Sequence, residues 1–367
     1  MKKLNFLLAL ILIGAVCFSC KKAEQEQIIK STDRTEINNP ALDLEKVNQR
    51  LNDHLASLRV YQKQLAQAGN SDFECMHRVV VPDDASSIQD AIEMVCDHGE
   101  VIVQSGTYAE SIWISNKPGI HIRAVGDVTL NGDFSVANSS DNIIIEGFNI
   151  VLPDYPYMWD GIWLFHVSGC VIKNNSISNE AYPGINPYDN GITIREADNN
   201  QIKDNHIKEM DYGIWLVNVN SSCSHNMIMG NLVSHVGRGI YIRFDCDNNM
   251  IIGNQIDNSE GPPEKGISII GADWDGNEYF PENNHVKLNQ VTYCTHDGIS
   301  MTLAFYNTIG PNNICNNNGW DGISLWRWSG DNLVINNEAL NNGWYDIYNT
   351  GINNTFRANT AVNTFGL

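Results

Sequence analysis

Asn200-Gln-Ile202-Lys-Asp-Asn205-His-Ile207, Asn226-Met-Ile228-Met-Gly-Asn231-Leu-Val233 and Asn249-Met-Ile251-Ile-Gly-Asn254-Gln-Ile256 are one phrase written three times. It continues as Asn284/Val286/Asn289/Val291, Asn307/Ile309/Asn312/Ile314, Asn332/Val334/Asn337/Ala339 and Asn354/Phe356/Asn359/Ala361. Cys170/Ile172/Asn175/Ile177 opens the series with cysteine in the first asparagine's place. The second asparagines recur every 22 to 35 residues. A floor with insertions above it is the signature of a solenoid. Parallel strands stacked at roughly 4.8 Å would set each repeat position over its equivalent on the previous turn. An amide side chain offers both a donor and an acceptor, so a column of asparagines can hydrogen-bond from rung to rung, and asparagine tolerates left-handed bends. Both asparagine columns are therefore read as structure rather than chemistry.

A second phrase marks another strand on each turn: Gly161-Ile-Trp-Leu, Gly191-Ile-Thr-Ile, Gly213-Ile-Trp-Leu, Gly239-Ile-Tyr-Ile, Gly266-Ile-Ser-Ile, Gly298-Ile-Ser-Met and Gly322-Ile-Ser-Leu. By period-two alternation its aliphatic residues face inward, and the variable position and the residue two further on face outward. The first outward column holds Trp163, Thr193, Trp215, Tyr241, Ser268, Ser300 and Ser324. The second holds Phe165, Arg195, Val217, Arg243, Ile270, Thr302 and Trp326.

The repeat fills most of the 367 residues, so one elongated body over 79–363 is expected. A formal charge of -20 supplies no basic stripe and excludes a nucleic-acid partner. Lys2 and Lys3 precede an apolar run from Phe6 to Val16, too short to span a membrane and suited to a signal peptide over 1–20. The run ends in Cys17-Phe-Ser-Cys20, which resembles a bacterial lipobox and implies lipidation at Cys20, with Cys17 departing from the usual Leu. An envelope location with the protein held at a membrane by its lipid follows, and residues 21–40 read as a tether. In 41–69, Leu44, Val47, Leu51, His54, Leu58, Tyr61 and Leu65 alternate by three and four, which predicts a helix. That helix either packs on the solenoid or joins copies into a homo-oligomer through 44–65. Among the nine cysteines, Cys75/Cys96 and Cys223/Cys246 are each placed to form a disulfide or to remain as packing thiols.

The first compact unit runs Ser87-Ile-Gln-Asp-Ala-Ile92, a short helix capped by Ser86 or Ser87, and then Val101-Ile-Val-Gln-Ser-Gly-Thr-Tyr-Ala-Glu-Ser-Ile112. A helix over the open end of a solenoid protects an edge that would otherwise recruit strands. This segment, with Asn142-Ile-Ile-Ile-Glu-Gly-Phe-Asn-Ile150 after it, resembles the amino-terminal turns of the pectate-lyase-like superfamily. The resemblance implies an all-β fold, a right-handed parallel β-helix with an N-terminal capping helix. That superfamily holds lyases, hydrolases, epimerases, sugar-binding proteins and copper-associated periplasmic proteins, so fold alone does not select a function.

Insertions before the G-I-x-I strand (180–189, 259–264) and after it (219–225, 271–283) border one sheet and predict a groove along it. Trp163, Trp215 and Tyr241 are the expected sugar-stacking floor, with Trp159, Trp274, Trp320, Trp326 and Trp328 at its margins. Arg195 and Arg243, two rungs apart, would pair with uronate or sulfate groups or with neighbouring aspartates. At the strand entrance Asp160, Asp189, Asp211, Arg238, Glu264/Lys265, His296/Asp297 and Asp321 form a further column. From it Asp160, Asp211, Arg238, Lys265, His296 and Asp297 are the candidate catalytic residues, for acid–base hydrolysis or for elimination beside a uronate carboxylate with Ca2+ held by the aspartates. The chain lacks the Asn-Thr-Asp and Gly-His-Gly of polygalacturonases, the Trp-x-x-Asp-His of pectate lyases and the Asp-Pro-His of alginate epimerases. Soft copper ligands are not clustered: Met227, Met250 and the histidines are scattered. The expected function is an extracytoplasmic lipoprotein that binds a polysaccharide in the groove, with lyase or hydrolase chemistry as its enzymatic form. The alternative is a non-enzymatic glycan-binding or assembly module.

Overall fold

The computed structural model describes residues 75–153, 160–179, 189–218, 221–257, 265–274 and 277–367. Cys20, the tether, the helix expected over 41–69, Trp159 and most of the insertions before the G-I-x-I strands lie outside the described residues. The described chain is a right-handed parallel β-helix of about 10 turns carrying one short helix. Three ladders of strands pair in parallel from one turn to the next. One runs through His121–Arg123, Val171–Lys173, Gln201–Lys203, Met227–Met229 and Met250–Ile252, one through Asn149–Leu152, Ser176–Asn179, His206–Lys208 and Leu232–Ser234, and one through the G-I-x-I strands. A single aliphatic core fills the interior, with Ile162, Ile192, Ile214, Ile240, Ile267, Ile299 and Ile323 stacked in register and inaccessible to water.

The asparagine columns lie inside this body. In the second, the backbone N–H and the Nδ2 of Asn231 both donate to Oδ1 of Asn254, at 3.0 and 2.9 Å, and Asn254 donates in the same way to Asn289. The first column repeats the pattern through Asn200, Asn226, Asn249, Asn284, Asn307, Asn332 and Asn354. The left-handed bend falls on the residue before each asparagine: Asp204, Gly230, Gly253 and Leu288 precede second-column members, all at positive φ. One expected member is displaced. Asn312 is itself a bend residue with φ 63, and Asn313 takes the rung, because Gly310-Pro311 lengthens that turn by one residue. Ile314, expected inside, is consequently exposed, and Cys315 is buried in its stead. A third, shorter ladder joins Asn318 to Asn342.

The N-terminal unit is locked as its motif requires. Ser87 Oγ accepts from the Asp90 N–H and caps the helix Ile88–Met94, whose Ile88, Ala91 and Ile92 are buried. The Glu110 carboxylate accepts from the N–H groups of Ile88 and Gln89, satisfying two donors that a helix start leaves open. Cys75 and Cys96 form a disulfide, whereas Cys223 and Cys246 are buried free thiols.

The glycine that opens each G-I-x-I strand is required by its neighbours. A Cβ on Gly213 would sit 2.6 Å from the Gly239 carbonyl oxygen and 2.4 Å from a Val233 methyl, and Gly191, Gly239, Gly266 and Gly298 meet the same obstruction one rung on. Gly213→Ala is expected to destabilise the protein by about 2–3 kcal/mol through overpacking against backbone that cannot yield. Urea denaturation measures this; a loss below about 0.5 kcal/mol would contradict the close approach.

Candidate functional site on the G-I-x-I sheet

Register confirms the first outward column: Trp163, Thr193, Trp215, Tyr241, Ser268, Ser300 and Ser324 are consecutive partners, and Tyr348 and Phe365 extend it. The column begins earlier than the motif does, since Ser135 pairs with both Trp113 and Trp163. In the second column Arg195 and Arg243 are two rungs apart with Val217 between them.

The entrance column differs from expectation. Its paired members are Asp160, Asn190, Tyr212, Arg238 and Lys265. Asp189 and Asp211 sit one residue earlier, because Asn190 and Tyr212 intervene between them and the glycine. Asp189 is buried and accepts from Asn179 Nδ2 at 2.8 Å, and the Asp211 N–H donates to the Asp189 carbonyl. Asp211 is thus a strand residue one place before the column that was to carry the chemistry.

Along the sheet the side chains fall into three zones. In the first, Trp163 is half-buried, stacks on Phe165 at 5.0 Å and lies 6.2 Å from Trp113. Asp160 accepts from Asn190 Nδ2 at 2.8 Å and Thr193 Oγ1 at 2.6 Å. Arg195 lies over Phe165 with its Nε 3.9 Å from Glu196. Burial lowers the Arg195 pKa from its usual value, and Glu196 and Asp160 oppose that shift. The carboxylates nearest this arginine are the protein's own, beyond hydrogen-bond distance of its Nε, which is buried without a hydrogen-bond partner.

In the second zone Tyr212 stacks on both Trp215 and Tyr241, at 5.2 and 5.3 Å. Arg238 donates to the Tyr212 hydroxyl at 2.7 Å and lies over the Tyr212 and Tyr241 rings. Trp215 and Tyr241 are consequently buried, 6% and 4% exposed, rather than open faces for a pyranose. Burial raises the Tyr212 phenol well above its ordinary pKa, so the stack stays uncharged beneath the guanidinium. Arg243 lies over the Phe244 ring at 4.6 Å.

The third zone is open. A cavity of about 730 Å3 is walled by Trp326, Trp344, Tyr345, Tyr348 and Phe365, with Asp321 and Asn363 as its polar members. Tyr345, Tyr348 and Phe365 rings pack on one another at 5.3 to 5.6 Å, and Trp326 closes on Tyr348 at 5.0 Å. Behind Trp344 runs a stack one rung deep at each step: Trp344 on Trp320 at 4.7 Å, nearly parallel, and Trp320 tilted on His296 at 4.0 Å. His296 is therefore the foot of an aromatic stack. Asp297 is inaccessible and lies under Asp321. It accepts from Ser324 Oγ at 3.0 Å, Trp326 Nε1 at 3.4 Å and the Asp321 N–H at 3.4 Å, and Lys265 Nζ is 4.0 Å away. Burial raises the Asp297 carboxyl, with Lys265, Ser324 and Trp326 pulling against it. In Asp321, Oδ1 accepts from the Tyr345 N–H at 3.0 Å and Oδ2 has no partner. Burial first, and Asp297 second, push the Asp321 carboxyl up to about 7.

The structure thus brings Lys265 and Asp297 together, packs His296 on Trp320 instead, and leaves Asp160 and Arg238 in the two earlier zones. Asp321 stood in the entrance column without being singled out, Trp326 was expected at the groove's margin, and Trp344, Tyr345, Tyr348 and Phe365 were missed. Asp346-Ile-Tyr348 lacks the glycine of the G-I-x-I phrase, which hid the next rung. The doubled Asn318-Gly-Trp320 and Asn342-Gly-Trp344, one turn apart, was the signal available.

Residues 77–279, more than half of the chain, match the family model described as periplasmic copper-binding protein (NosD). The chain belongs to the NosD family. No curated protein sequence matches it. Among solved structures, it is similar to the catalytic unit of a thermostable α-1,3-glucanase from Streptomyces thermodiastaticus, 14% identical over 80% of this chain and 71% of that one, with TM-score 0.51. It is also similar to the Dettilon tailspike protein, 15% identical over 77% of this chain and 66% of that one, with TM-score 0.52. These likenesses show the shared β-helix.

The family's description raises copper, and the described residues of this NosD-family chain do not fit it. Among them no three His, Cys, Asp or Glu side chains converge on one point, which applies equally to the calcium expected at the aspartates. The thiols are enclosed in the apolar core, where burial drives Cys170 up to about 12 and Cys246 and Cys315 well above the ordinary thiol value. A cysteine binds copper as a thiolate, and burial here opposes that form.

Proposed function

We propose that this protein is an extracytoplasmic polysaccharide-binding β-helix protein that receives a glycan chain along the G-I-x-I sheet, with the cavity of the third zone as its principal sugar subsite. The observation that carries the reading is that cavity: five aromatic rings around a space of sugar size, with an aspartic acid and an asparagine to orient hydroxyl groups. Trp163 and Phe165 in the first zone supply a second, smaller apolar face on the same column. An α-1,3-glucanase among the fold neighbours is in keeping with this reading. Lipidation at Cys20 would hold the protein at the membrane, and residues 44–65 would join copies together.

Cleavage is the second reading, favoured by Asp321 at the cavity wall with Asp297 enclosed one rung beneath it. Two carboxyl groups on neighbouring rungs with unequal surroundings are the arrangement in which one is protonated and one ionised. Incubation with a panel of neutral and uronate-containing glycans, with and without calcium, separates the readings. Retention of a glycan without products makes the protein a binding module, new reducing ends make it a hydrolase, and an unsaturated product absorbing in the ultraviolet makes it a lyase. Failure to retain any glycan would refute the proposal.

A further inference from the structure

Asp321 is the one carboxyl that lines the cavity, and its burial is nearly complete at 1% exposure. One of its oxygens is engaged by the Tyr345 N–H, and the other is buried without a partner. An ionised carboxylate in that position would leave an acceptor unsatisfied beside a second carboxylate, which is costly. A protonated one presents an O–H and needs only an acceptor. The carboxylates on the neighbouring rungs bear on this choice. Asp297, one rung below, takes donors from Ser324, Trp326 and the Asp321 N–H and has Lys265 at 4.0 Å, contacts that offset part of what burial costs its anion. Asp346, one rung above, is held below the usual carboxylate range, against the effect of its burial, by donors from Asn363, Val362 and Asn342. His296 is engaged on the Trp320 ring. Asp321 is thus flanked by two carboxylates that are each better supplied with donors than it is.

Resting on the glycan reading above, we propose that Asp321 serves the cavity as a neutral carboxylic acid, its free oxygen donating a hydrogen bond to a hydroxyl group of an uncharged sugar ring held between the aromatic walls. The lining names the ligand class. It contains neither Lys nor Arg, and a chain of formal charge -20 repels polyanions, so the subsite takes a neutral hexose unit and rejects a uronate or sulfated one. The arginines that would have greeted an acidic glycan, Arg195 and Arg243, belong to earlier rungs. Since burial and Asp297 raise the Asp321 carboxyl to about 7, the donor is present below that pH and is lost above it.

Isothermal titration with neutral gluco- and manno-oligosaccharides and with uronate oligomers, from pH 5.5 to 8.5, tests this. The neutral oligomers are expected to bind below pH 7 and to weaken by up to about tenfold per pH unit above it, as one required proton dictates. Asp321→Asn keeps an acceptor for Tyr345 and a permanent donor toward the cavity, and is expected to hold its affinity at pH 8.5. Asp321→Ala should bind at least about tenfold more weakly at pH 5.5. Asp297→Asn removes the neighbouring charge and should move the wild-type midpoint downward. Binding by the wild type that is independent of pH, an Asp321→Asn variant as weak as Asp321→Ala, or a preference for uronate oligomers would each overturn the inference while leaving the glycan reading intact. No binding of any oligomer at pH 5.5 would overturn the glycan reading as well.

Discussion

Asn254→Ala is expected to lower the unfolding free energy by about 3 kcal/mol or more, although it removes no apolar contact of consequence. Asn254 is 1% exposed. Its Oδ1 receives both the backbone N–H and the Nδ2 of Asn231, its Nδ2 donates to the Ile228 carbonyl at 2.9 Å and to Asn289 Oδ1 at 3.0 Å, and its position in the chain is fixed by its own N–H on Asn289. Alanine leaves the Asn231 N–H and the Ile228 carbonyl buried with their partners gone, each worth about 1–3 kcal/mol. Asn254→Asp should be at least as damaging, since it sets a buried carboxylate oxygen against two acceptors. Gln255→Ala, next in the chain and exposed, should change stability by no more than about 0.5 kcal/mol. Equilibrium denaturation of the three variants decides the point, and a loss under about 1 kcal/mol for Asn254→Ala would mean that the column is not what holds the rungs in register.

The second large effect concerns binding. Trp344→Ala is expected to reduce affinity for a bound neutral oligosaccharide by at least about tenfold, roughly 1.4 kcal/mol, while leaving the thermal transition nearly unchanged. The ring is 52% exposed and forms a wall of the cavity, so its loss costs ligand surface more than core. Trp320, stacked behind it, keeps its contact with His296. Trp328 is the control: it is 60% exposed on the same part of the chain and takes no part in the cavity, and its replacement by alanine should leave affinity within about twofold. Equal losses at Trp344 and Trp328, measured by titration calorimetry, would show that the cavity has no special claim on sugar.

The fold was legible because the repeat is physical. A side-chain amide that must bond to its copy one turn later leaves an invariant spacing, and the glycine under each G-I-x-I strand leaves another, since the next rung's carbonyl occupies the place of a Cβ. Where those two constraints relax, the reading slipped. Gly310-Pro311 moved a rung from Asn312 to Asn313, and one residue inserted before Gly213 carried Asp211 out of the entrance column and set Tyr212 there instead. The second slip mattered more for function. A tyrosine at that place covers Trp215 and Tyr241, so two residues correctly assigned to the outward column are closed to a ligand by a neighbour whose reach spacing does not reveal. The cavity was hidden for the opposite reason. Its rings come from three successive rungs, two of which, at Ile347 and Thr364, have no glycine to announce them. Columns can be read from one sequence, but the tilt of a side chain within its column depends on what stands beside it.

The central claim is that sugar binds at the third zone of the G-I-x-I sheet, and a crystal structure with the tightest-binding neutral oligosaccharide tests it most directly. A pyranose ring stacked between Trp344 and Trp326, with a hydroxyl group within about 3 Å of the free oxygen of Asp321, is the predicted result. An oligosaccharide ordered over Trp163 and Arg195 with the cavity empty of sugar would contradict it.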